Sequence, residues 1–150
     1  MTDVPRLPPF RHLHTAYVTS DLAKGQLRLT SLFGAEDFTV YPEVGVKIPG
    51  GGEAKLTFAL TTVNGISLEV IQPLGGQDGV YRQALPQDPA DIALHHFSSA
   101  IHSEAEWEMV INFVRSHKIE VPVQGGEGDI RYIYLDTRPQ LGHILEFIWQ

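Results

Sequence analysis

The stretch ALHHFSSAI, residues 93–101, places two adjacent histidines in a segment whose other residues are typical of a buried strand. An imidazole is costly to bury unless a hydrogen bond or a metal ion satisfies its ring nitrogens. Side chains alternate between the two faces of a strand, so His95 and His96 are predicted to point in opposite directions. One of the two therefore needs a partner in the interior, and residues elsewhere in the chain indicate which one.

This strand opens the second of two halves that share one predicted order of elements: a strand, a helix and three more strands. In the first half these elements are predicted at 14–20, 21–34, 37–42, 55–63 and 66–73. In the second half they are predicted at 92–101, 103–118, 119–126, 129–137 and 143–150. The segment 74–91 is rich in Gly, Pro and Asp, and it is predicted to link a module at about 12–73 to one at about 93–150.

Local signals refine two of these elements. Ser103 followed by Glu106 is a capping-box pattern at the start of the helix 103–118. Pro122 cannot donate a hydrogen bond to a neighbouring strand, so the strand 119–126 is predicted to lie at an edge of the sheet.

Each half carries one histidine in its first strand and one glutamate in its last, which gives the set His14, Glu69, His96 and Glu146. Both glutamates are flanked by large apolar residues, and a carboxylate in such a position needs a partner. One cation satisfies all four groups, and two imidazoles with two carboxylates suit divalent Zn, Ni, Co or Mn, with Fe a weaker candidate. Four protein ligands leave two positions of an octahedral ion for water or for two neighbouring substrate oxygens.

Other interpretations of these four residues stay open. A histidine in a strand is often a hydrogen-bonded structural residue. Glu69 and Glu146 also have Arg131 and Arg138 as alternative partners for an ion pair.

Further polar residues lie near the proposed ligands in the sequence. His12 is predicted either to share the face of His14 or to be exposed near the N-terminus. Tyr132 and Tyr134 are predicted to share one face of their strand and to pack in the core, whereas Arg131 points to the other face.

The amino-acid composition excludes several classes of function. The 150 residues include 11 basic and 18 acidic side chains, and the net charge of −7 disfavours binding to a nucleic-acid backbone. The absence of cysteine excludes disulfides, thiolate ligands and cysteine nucleophiles. No apolar run approaches the roughly 20 residues of a membrane span, and MTDVPRLPPF lacks the apolar core of a signal peptide. We therefore expect a cytoplasmic protein that acts on a small molecule, not on nucleic acid or a membrane.

Four motifs carry a family resemblance: HLHTAYVTSDL, LEVIQPL, LHHF and GHILEF. They resemble the vicinal oxygen chelate superfamily, which includes lactoylglutathione lyases (glyoxalases), methylmalonyl-CoA epimerases and extradiol dioxygenases. The resemblance implies an α+β fold, in which one glyoxalase-like domain over 1–150 has paired βαβββ modules that form a curved mixed sheet around a metal site. It also implies a homodimer, and it implies that the metal ligands are His14, Glu69, His96 and Glu146.

Two positions depart from the patterns of individual family members. His, Glu, His, Glu is the ligand set of bacterial lactoylglutathione lyases, which usually carry asparagine four residues after the first glutamate; Pro73 stands there in this chain. Epimerases usually have glutamine at the position of Glu69. They also use a carboxylate base on the preceding strand, and the segment 55–63 has none.

The resemblance implies a divalent-metal-dependent isomerase, epimerase or lyase acting on a small carbonyl substrate, with glutathione adducts and CoA thioesters among the candidates. Glu146 or Glu69 would remove a proton beside the carbonyl, and the metal would stabilise the enolate or enediolate. One alternative is an Fe(II) extradiol-type dioxygenase that uses His14, His96 and Glu146 as a facial triad. Another is a small-molecule-binding protein without catalytic activity.

Overall fold

The structure is a computed structural model that describes residues 4–150. The chain begins with β1 (His12–Val18), α1 (Leu22–Phe33), β2 (Thr39–Lys47), β3 (Glu53–Val63) and β4 (Ile66–Gly76). It continues with α2 (Gly79–Arg82), β5 (Ala93–Ile101), α3 (Glu104–His117), β6 (Gln124–Glu127), β7 (Ile130–Leu135), α4 (Arg138–Leu141) and β8 (Ile144–Trp149).

The eight described strands form one mixed sheet in the order β2-β3-β4-β1-β5-β8-β7-β6. Within each half the first strand lies parallel to the last, β1 beside β4 and β5 beside β8. The antiparallel pairing of β1 with β5 joins the two halves at the centre. The four central strands are therefore those that carry the two histidines and the two glutamates. The predicted α+β fold with a curved mixed sheet is confirmed.

The sheet curves until its two outer strands approach each other. The backbone N–H of Lys47, at the end of β2, donates to the Tyr132 hydroxyl on β7 across 3.4 Å. Gly125 on β6 permits this approach, because a Cβ at that position would lie 2.8 Å from the same hydroxyl oxygen and 3.2 Å from the Lys47 Cβ. The concave face of the sheet thus encloses a pocket.

The capping pattern predicted at the start of α3 is present in a modified form. The Ser103 hydroxyl accepts from the backbone N–H of Glu106 at 3.2 Å. The Glu106 carboxylate accepts from the backbone N–H of His102 instead of that of Ser103. The same carboxylate lies 2.7 Å from the Arg11 guanidinium. The start of the helix is thereby connected to the chain just before β1.

The strand predicted at 119–126 is shorter than expected and lies further along the chain, although its edge position is correct. Only Gln124–Glu127 pairs as β6. The preceding residues make two isolated backbone bonds, in which Tyr134 N–H donates to the Val123 carbonyl and Asp136 N–H to the Glu120 carbonyl, both at 2.9 Å. Pro122 stands between these acceptors and has no N–H to give in return, so a continuous ladder does not form.

Other elements also differ from those predicted. The strand predicted at 37–42 continues to Lys47, where the turn 48–52 ends it. Within the segment 74–91, β4 continues to Gly76 and one helical turn spans Gly79–Arg82. None of the helices in residues 4–150 is long and apolar enough to cross a membrane.

Trp149, near the end of the chain, packs within its own chain. The Arg131 guanidinium lies 4.4 Å from the centre of the Trp149 ring and 5.8 Å from that of Trp107. Arg131 also contacts the Glu104 carboxylate at 3.3 Å. Arg131 therefore points away from the face that carries Tyr132, as predicted from alternation. The homodimer implied by the family resemblance stays a prediction.

Candidate metal centre

The sheet order brings the four predicted ligands to one point. His14 on β1 lies between β4, which carries Glu69, and β5, which carries His96. Glu146 is on β8, directly beside β5. All four side chains are buried, so residues from both ends of the chain meet in the interior of the molecule.

The potential ligand atoms lie close together. Glu146 Oε1 is 3.3 Å from His14 Nε2 and 3.2 Å from His96 Nε2. The two Nε2 atoms are 3.3 Å apart. Glu69 oxygens are 3.8 Å from His14 Nε2 and 4.0 Å from His96 Nε2. Donors bonded to one ion at about 2.1 Å are separated by about 3.0–4.2 Å. The spacings among His14, Glu69 and His96 fit one shared ion, and Glu146 lies within the same range of both histidines.

Glu69 is the least satisfied of the four groups. Its carboxylate is buried, and no donor within residues 4–150 hydrogen-bonds to it, because both imidazole nitrogens are too far away. Burial raises its pKa, and the charge of Glu146 adds to this effect, although the two histidines oppose it. A carboxylate that is only 8% exposed and receives no hydrogen bond from the protein is poorly compensated, and a divalent cation beside it would compensate its charge. The donor set therefore fits a divalent metal ion.

The pKa values of Glu146 and His14 are both shifted by the attraction between the carboxylate and the imidazole. Burial alone would raise the pKa of Glu146, but hydrogen bonds with His14 and His96 outweigh burial and lower this pKa to about 2. Burial would lower the pKa of His14, but the hydrogen bond to Glu146 and the charges of both glutamates more than compensate and raise it. The site therefore favours positive charge between its carboxylates, carried either by a proton or by a metal ion.

His95 does not point away from His96, so the prediction from simple alternation is wrong. The β1–β5 register passes from Ala16 opposite His96 to Tyr17 opposite Leu94, which leaves His95 as an extra residue in a β-bulge. A bulge breaks the alternation of side chains. Both imidazoles consequently lie in the interior, His95 with 2% and His96 with 0% of its surface exposed.

A chain of hydrogen bonds links the two adjacent histidines. His95 Nε2 lies 3.0 Å from the Val80 carbonyl oxygen, which can only accept, so this nitrogen carries a proton and donates. A neutral imidazole carries one proton, so with that proton on Nε2 the Nδ1 of His95 is an acceptor. The His96 Nδ1–H therefore donates to His95 Nδ1 across 2.7 Å. His96 then presents its other nitrogen, Nε2, to the site.

His12 lies outside the site. The β1–β5 register places His12 opposite Ser99 and His14 opposite Ser98, so Leu13 is an extra residue and the alternation is broken there too. The His12 ring is exposed and its Nε2 lies 2.8 Å from the Thr15 hydroxyl. Of the two positions predicted for His12, exposure near the N-terminus is confirmed.

Two tyrosines enclose the histidine pair. The Tyr134 ring centre is 4.8 Å from that of His96, and the Tyr81 ring stacks on His95 with centres 4.9 Å apart. The Tyr81 hydroxyl donates to the Tyr134 hydroxyl across 3.1 Å. Tyr134 was predicted to pack in the core, but Tyr81 was missed, because it lies on α2 in a segment whose composition indicates only a linker.

The arginines considered as alternative partners for the glutamates are engaged elsewhere. Arg131 contacts Glu104, and Arg138 contacts Asp136 at 2.8 Å. Neither arginine forms an ion pair with Glu69 or Glu146. Ion pairing with an arginine therefore does not explain the two buried glutamates.

The site lies at the inner end of a pocket of about 650 Å³ on the concave face of the sheet. His14, Glu69 and Glu146 line this end together with Tyr134. His96 is fully buried behind them. The site is thus open to a small molecule from one side and closed by protein on the other.

Comparison by sequence finds no match, either to a known protein family or to a curated protein. Comparison by structure finds methylmalonyl-CoA epimerase from Mycobacterium tuberculosis, which is 14% identical with a TM-score of 0.56, covering 99% of this chain and 92% of that one. A variant of Streptomyces coelicolor methylmalonyl-CoA epimerase in complex with 2-nitronate-propionyl-CoA is 16% identical with a TM-score of 0.56, covering 94% and 97%.

A hypothetical protein from Bacillus halodurans has a similar fold, with 15% identity and a TM-score of 0.55 over 93% of this chain and 94% of that one. Identities at this level establish a shared fold and leave the substrate open. The chain therefore shares the fold of these methylmalonyl-CoA epimerases, which is the glyoxalase-like fold that the sequence resemblance implied.

Proposed function

We propose that this protein is a divalent-metal-dependent isomerase, epimerase or lyase that acts on a small carbonyl compound through its enolate or enediolate. The observation that carries the proposal is the meeting of two imidazoles and two buried carboxylates at the inner end of one pocket. The presence of methylmalonyl-CoA epimerases among proteins of similar fold supports the same class of chemistry.

His14, Glu69, His96 and Glu146 would hold the ion. Zn, Ni, Co or Mn suits this mixed set of nitrogen and oxygen donors. The bound ion would supply Lewis-acid stabilisation of negative charge on a substrate oxygen. The transfer of the proton would fall to the side chains of the protein.

Glu69 is the better of the two candidate bases. Glu146 Oε1 lies 3.3 Å from His14 Nε2 and 3.2 Å from His96 Nε2, so this oxygen lies between the two histidine ligands, where a bound ion would engage it. Glu69 lies farther from both rings, receives no hydrogen bond within residues 4–150, and lines the pocket. An oxygen of Glu69 is therefore free to accept a proton from a molecule in the pocket.

The proton transfer balances without any other reactant. The C–H bond beside the carbonyl breaks, an O–H bond forms on Glu69, and the C–H electron pair becomes a carbon–carbon π bond as the carbonyl π pair moves to oxygen. In an α-hydroxy carbonyl compound, return of the proton to the neighbouring carbon, together with transfer of the hydroxyl proton to the former carbonyl oxygen, completes an isomerisation. Return of the proton to the opposite face of the same carbon completes an epimerisation. Apolar walls around the site would keep water from the carbanionic species.

The proposal is tested by hydrogen exchange of 2-hydroxyacetophenone in D₂O, because this compound has two vicinal oxygens, an acidic C–H and an apolar ring. Protein loaded with Zn²⁺ or Ni²⁺ is expected to accelerate loss of the CH₂ proton signal over a buffer that contains the same ion. Chelation is expected to return the rate to background, and added ion to restore it. Full activity in metal-stripped protein would contradict the proposal, and binding without exchange would favour the non-catalytic alternative.

A further inference from the structure

The pocket also restricts the substrate. We infer that the natural substrate is a carbonyl compound with an apolar substituent, and that it is not attached to a phosphate-bearing carrier such as CoA. The inference rests on the proposed function and adds the chemical class on which the site acts. The chemical character of the pocket changes between its inner end and its mouth.

The middle of the pocket is apolar. Its walls are side chains of β2, β3 and β8, namely Val44, Val46, Leu56, Phe58 and Ile148. Tyr41 is paired with Phe58 on the neighbouring strand and stacks on its ring, with ring centres 5.0 Å apart. A substituent that follows the carbonyl out of the site therefore meets hydrocarbon surface, whose burial is favourable only for an apolar group.

The mouth of the pocket carries more negative than positive charge. Its charged side chains are those of Lys47, Glu53 and Glu127, all exposed. Gly45 leaves room for one of them, because a Cβ at that position would lie 2.6 Å from a Glu53 carboxylate oxygen. Lys47 is the one cationic side chain among the described residues that line the pocket.

Arginine is a natural ligand of a phosphate, but five of the seven arginines are paired with carboxylates away from the pocket, and the other two, Arg6 and Arg115, do not line it either. The pairs are Arg11–Glu106, Arg28–Asp91, Arg82–Asp78, Arg131–Glu104 and Arg138–Asp136. None of these arginines lines the pocket. Recognition of several phosphate charges requires clustered Arg or Lys, and two carboxylates at the mouth would repel them.

The test compares three probes by calorimetry on the same Zn²⁺-loaded protein: acetohydroxamate, octanohydroxamate and acetyl-CoA. Both hydroxamates present two vicinal oxygens to the ion, and they differ only in the apolar tail. Octanohydroxamate is expected to bind at least about tenfold more tightly than acetohydroxamate, since each buried methylene favours binding. Acetyl-CoA is expected not to bind at the same concentrations. Phe58→Ala is expected to weaken octanohydroxamate and leave acetohydroxamate unchanged.

The outcomes separate this inference from the proposed function. Equal affinity of the two hydroxamates, or tight binding of acetyl-CoA, would overturn the substrate class while leaving the metal site intact. Failure of both hydroxamates to bind, together with failure of the protein to retain Zn²⁺, would overturn the proposed function itself.

A separate observation, the hydrogen-bond chain behind His96, supports a second inference. We propose that His95 is a positioning residue that fixes which nitrogen of His96 faces the metal. His95 is tied to the Val80 carbonyl at 3.0 Å and accepts from His96 Nδ1 at 2.7 Å. Its ring is held by Tyr81, stacked on it at 4.9 Å. Partners of this kind orient a ligand and hold the correct nitrogen free for the ion.

Three substitutions of His95 isolate the role of its Nδ1. His95→Leu removes the acceptor, and His95→Gln places a polar group near Nε2 but none near Nδ1. Both are expected to weaken Zn²⁺ binding by about 10–100-fold in a chelator competition assay. His95→Asn places an oxygen near the position of Nδ1 and is expected to recover most of the affinity. NMR of the ring nitrogens of His96 is expected to show a fixed Nδ1–H only in the wild type and His95→Asn.

A purely structural role for His95 predicts a different pattern. In that case the stability of the Zn²⁺-free variants would fall in proportion to the packing that each substitution removes. Their affinities for Zn²⁺ would not depend on whether the new side chain has an acceptor near the position of Nδ1. Wild-type affinity in a folded His95→Leu protein would overturn the inference. Absence of Zn²⁺ binding by the wild type would instead overturn the proposed function.

Discussion

Glu69→Gln is expected to slow the exchange of 2-hydroxyacetophenone protons by about 10²–10⁴-fold while the protein still binds its metal ion. The size of the loss is that of removing a positioned general base. The glutamine carbonyl oxygen can still approach a cation, but the neutral amide cannot accept a proton at neutral pH. The substitution therefore separates the two roles proposed for this residue, ligand and base.

The choice of Glu69 over Glu146 gives this prediction a matched comparison. Glu146 is held by both imidazoles, so Glu146→Gln removes the carboxylate that draws positive charge between His14 and His96. That variant is expected to lose its metal ion, and its hydrogen-exchange activity is expected to fall as a consequence. Glu108→Gln, on the exposed side of α3, makes the same chemical change far from the site and is expected to alter neither.

The measurement is the exchange rate in D₂O together with zinc content after gel filtration. A Glu69→Gln protein that contains one Zn²⁺ per chain and exchanges protons at the wild-type rate would contradict the assignment of Glu69 as the base. If the rate fell only in Glu146→Gln at full zinc content, the base would be Glu146. Each variant thus has an outcome that assigns the base to one of the two glutamates.

The sequence was sufficient to predict which residues would meet, because the reason lies in the repeated order of elements. Two halves with the same order place His14 and His96 at equivalent positions in their first strands, and Glu69 and Glu146 in their last. Each half then pairs its first strand with its last. The position of each histidine and glutamate within its half therefore predicted that the four side chains would meet.

The orientation of individual side chains was harder to predict, because it depends on bulges that leave no clear signal in the sequence. Leu13 and His95 are both extra residues in the β1–β5 pair. One bulge moves His12 out of the site and the other turns His95 into the interior. Simple alternation fails at both points, since a bulge changes the face on which neighbouring residues lie. The doubled histidine was the one visible sign of the second bulge.

The segment 74–91 illustrates a different limit. Its Gly, Pro and Asp content indicates a break in regular structure, which is correct for most of its length. Tyr81, fully buried in one helical turn of this segment, nevertheless stacks on His95 and donates to Tyr134. A short helix has too few residues to show a period, so its contribution to the site becomes visible only in three dimensions.

Loss of Zn²⁺ binding is the second large effect that we expect. The bulge at Leu13 allows it to be tested with two substitutions on one strand. His14→Ala is expected to weaken Zn²⁺ binding by about 100-fold or more, because loss of a ligand should exceed the 10–100-fold cost of losing an outer partner. His12→Ala is expected to leave Zn²⁺ binding unchanged, since the His12 ring is exposed and contacts Thr15. The two residues have the same chemistry and lie two positions apart, so the comparison controls for charge, tags and nonspecific imidazole binding.

Thermal unfolding with and without Zn²⁺ provides the readout, because an ion that binds only the folded state raises its stability by about 2.7 kcal/mol at 100 times the dissociation constant. This increase is expected in the wild type and in His12→Ala, and it should be absent in His14→Ala. Loss of the increase in both variants would mean that the Leu13 bulge does not separate the two rings in solution. Retention of the increase in both would remove His14 from the site. His14 contacts both Glu146 and His96. Retention of the stability increase in His14→Ala would therefore also remove the main support for a four-ligand centre.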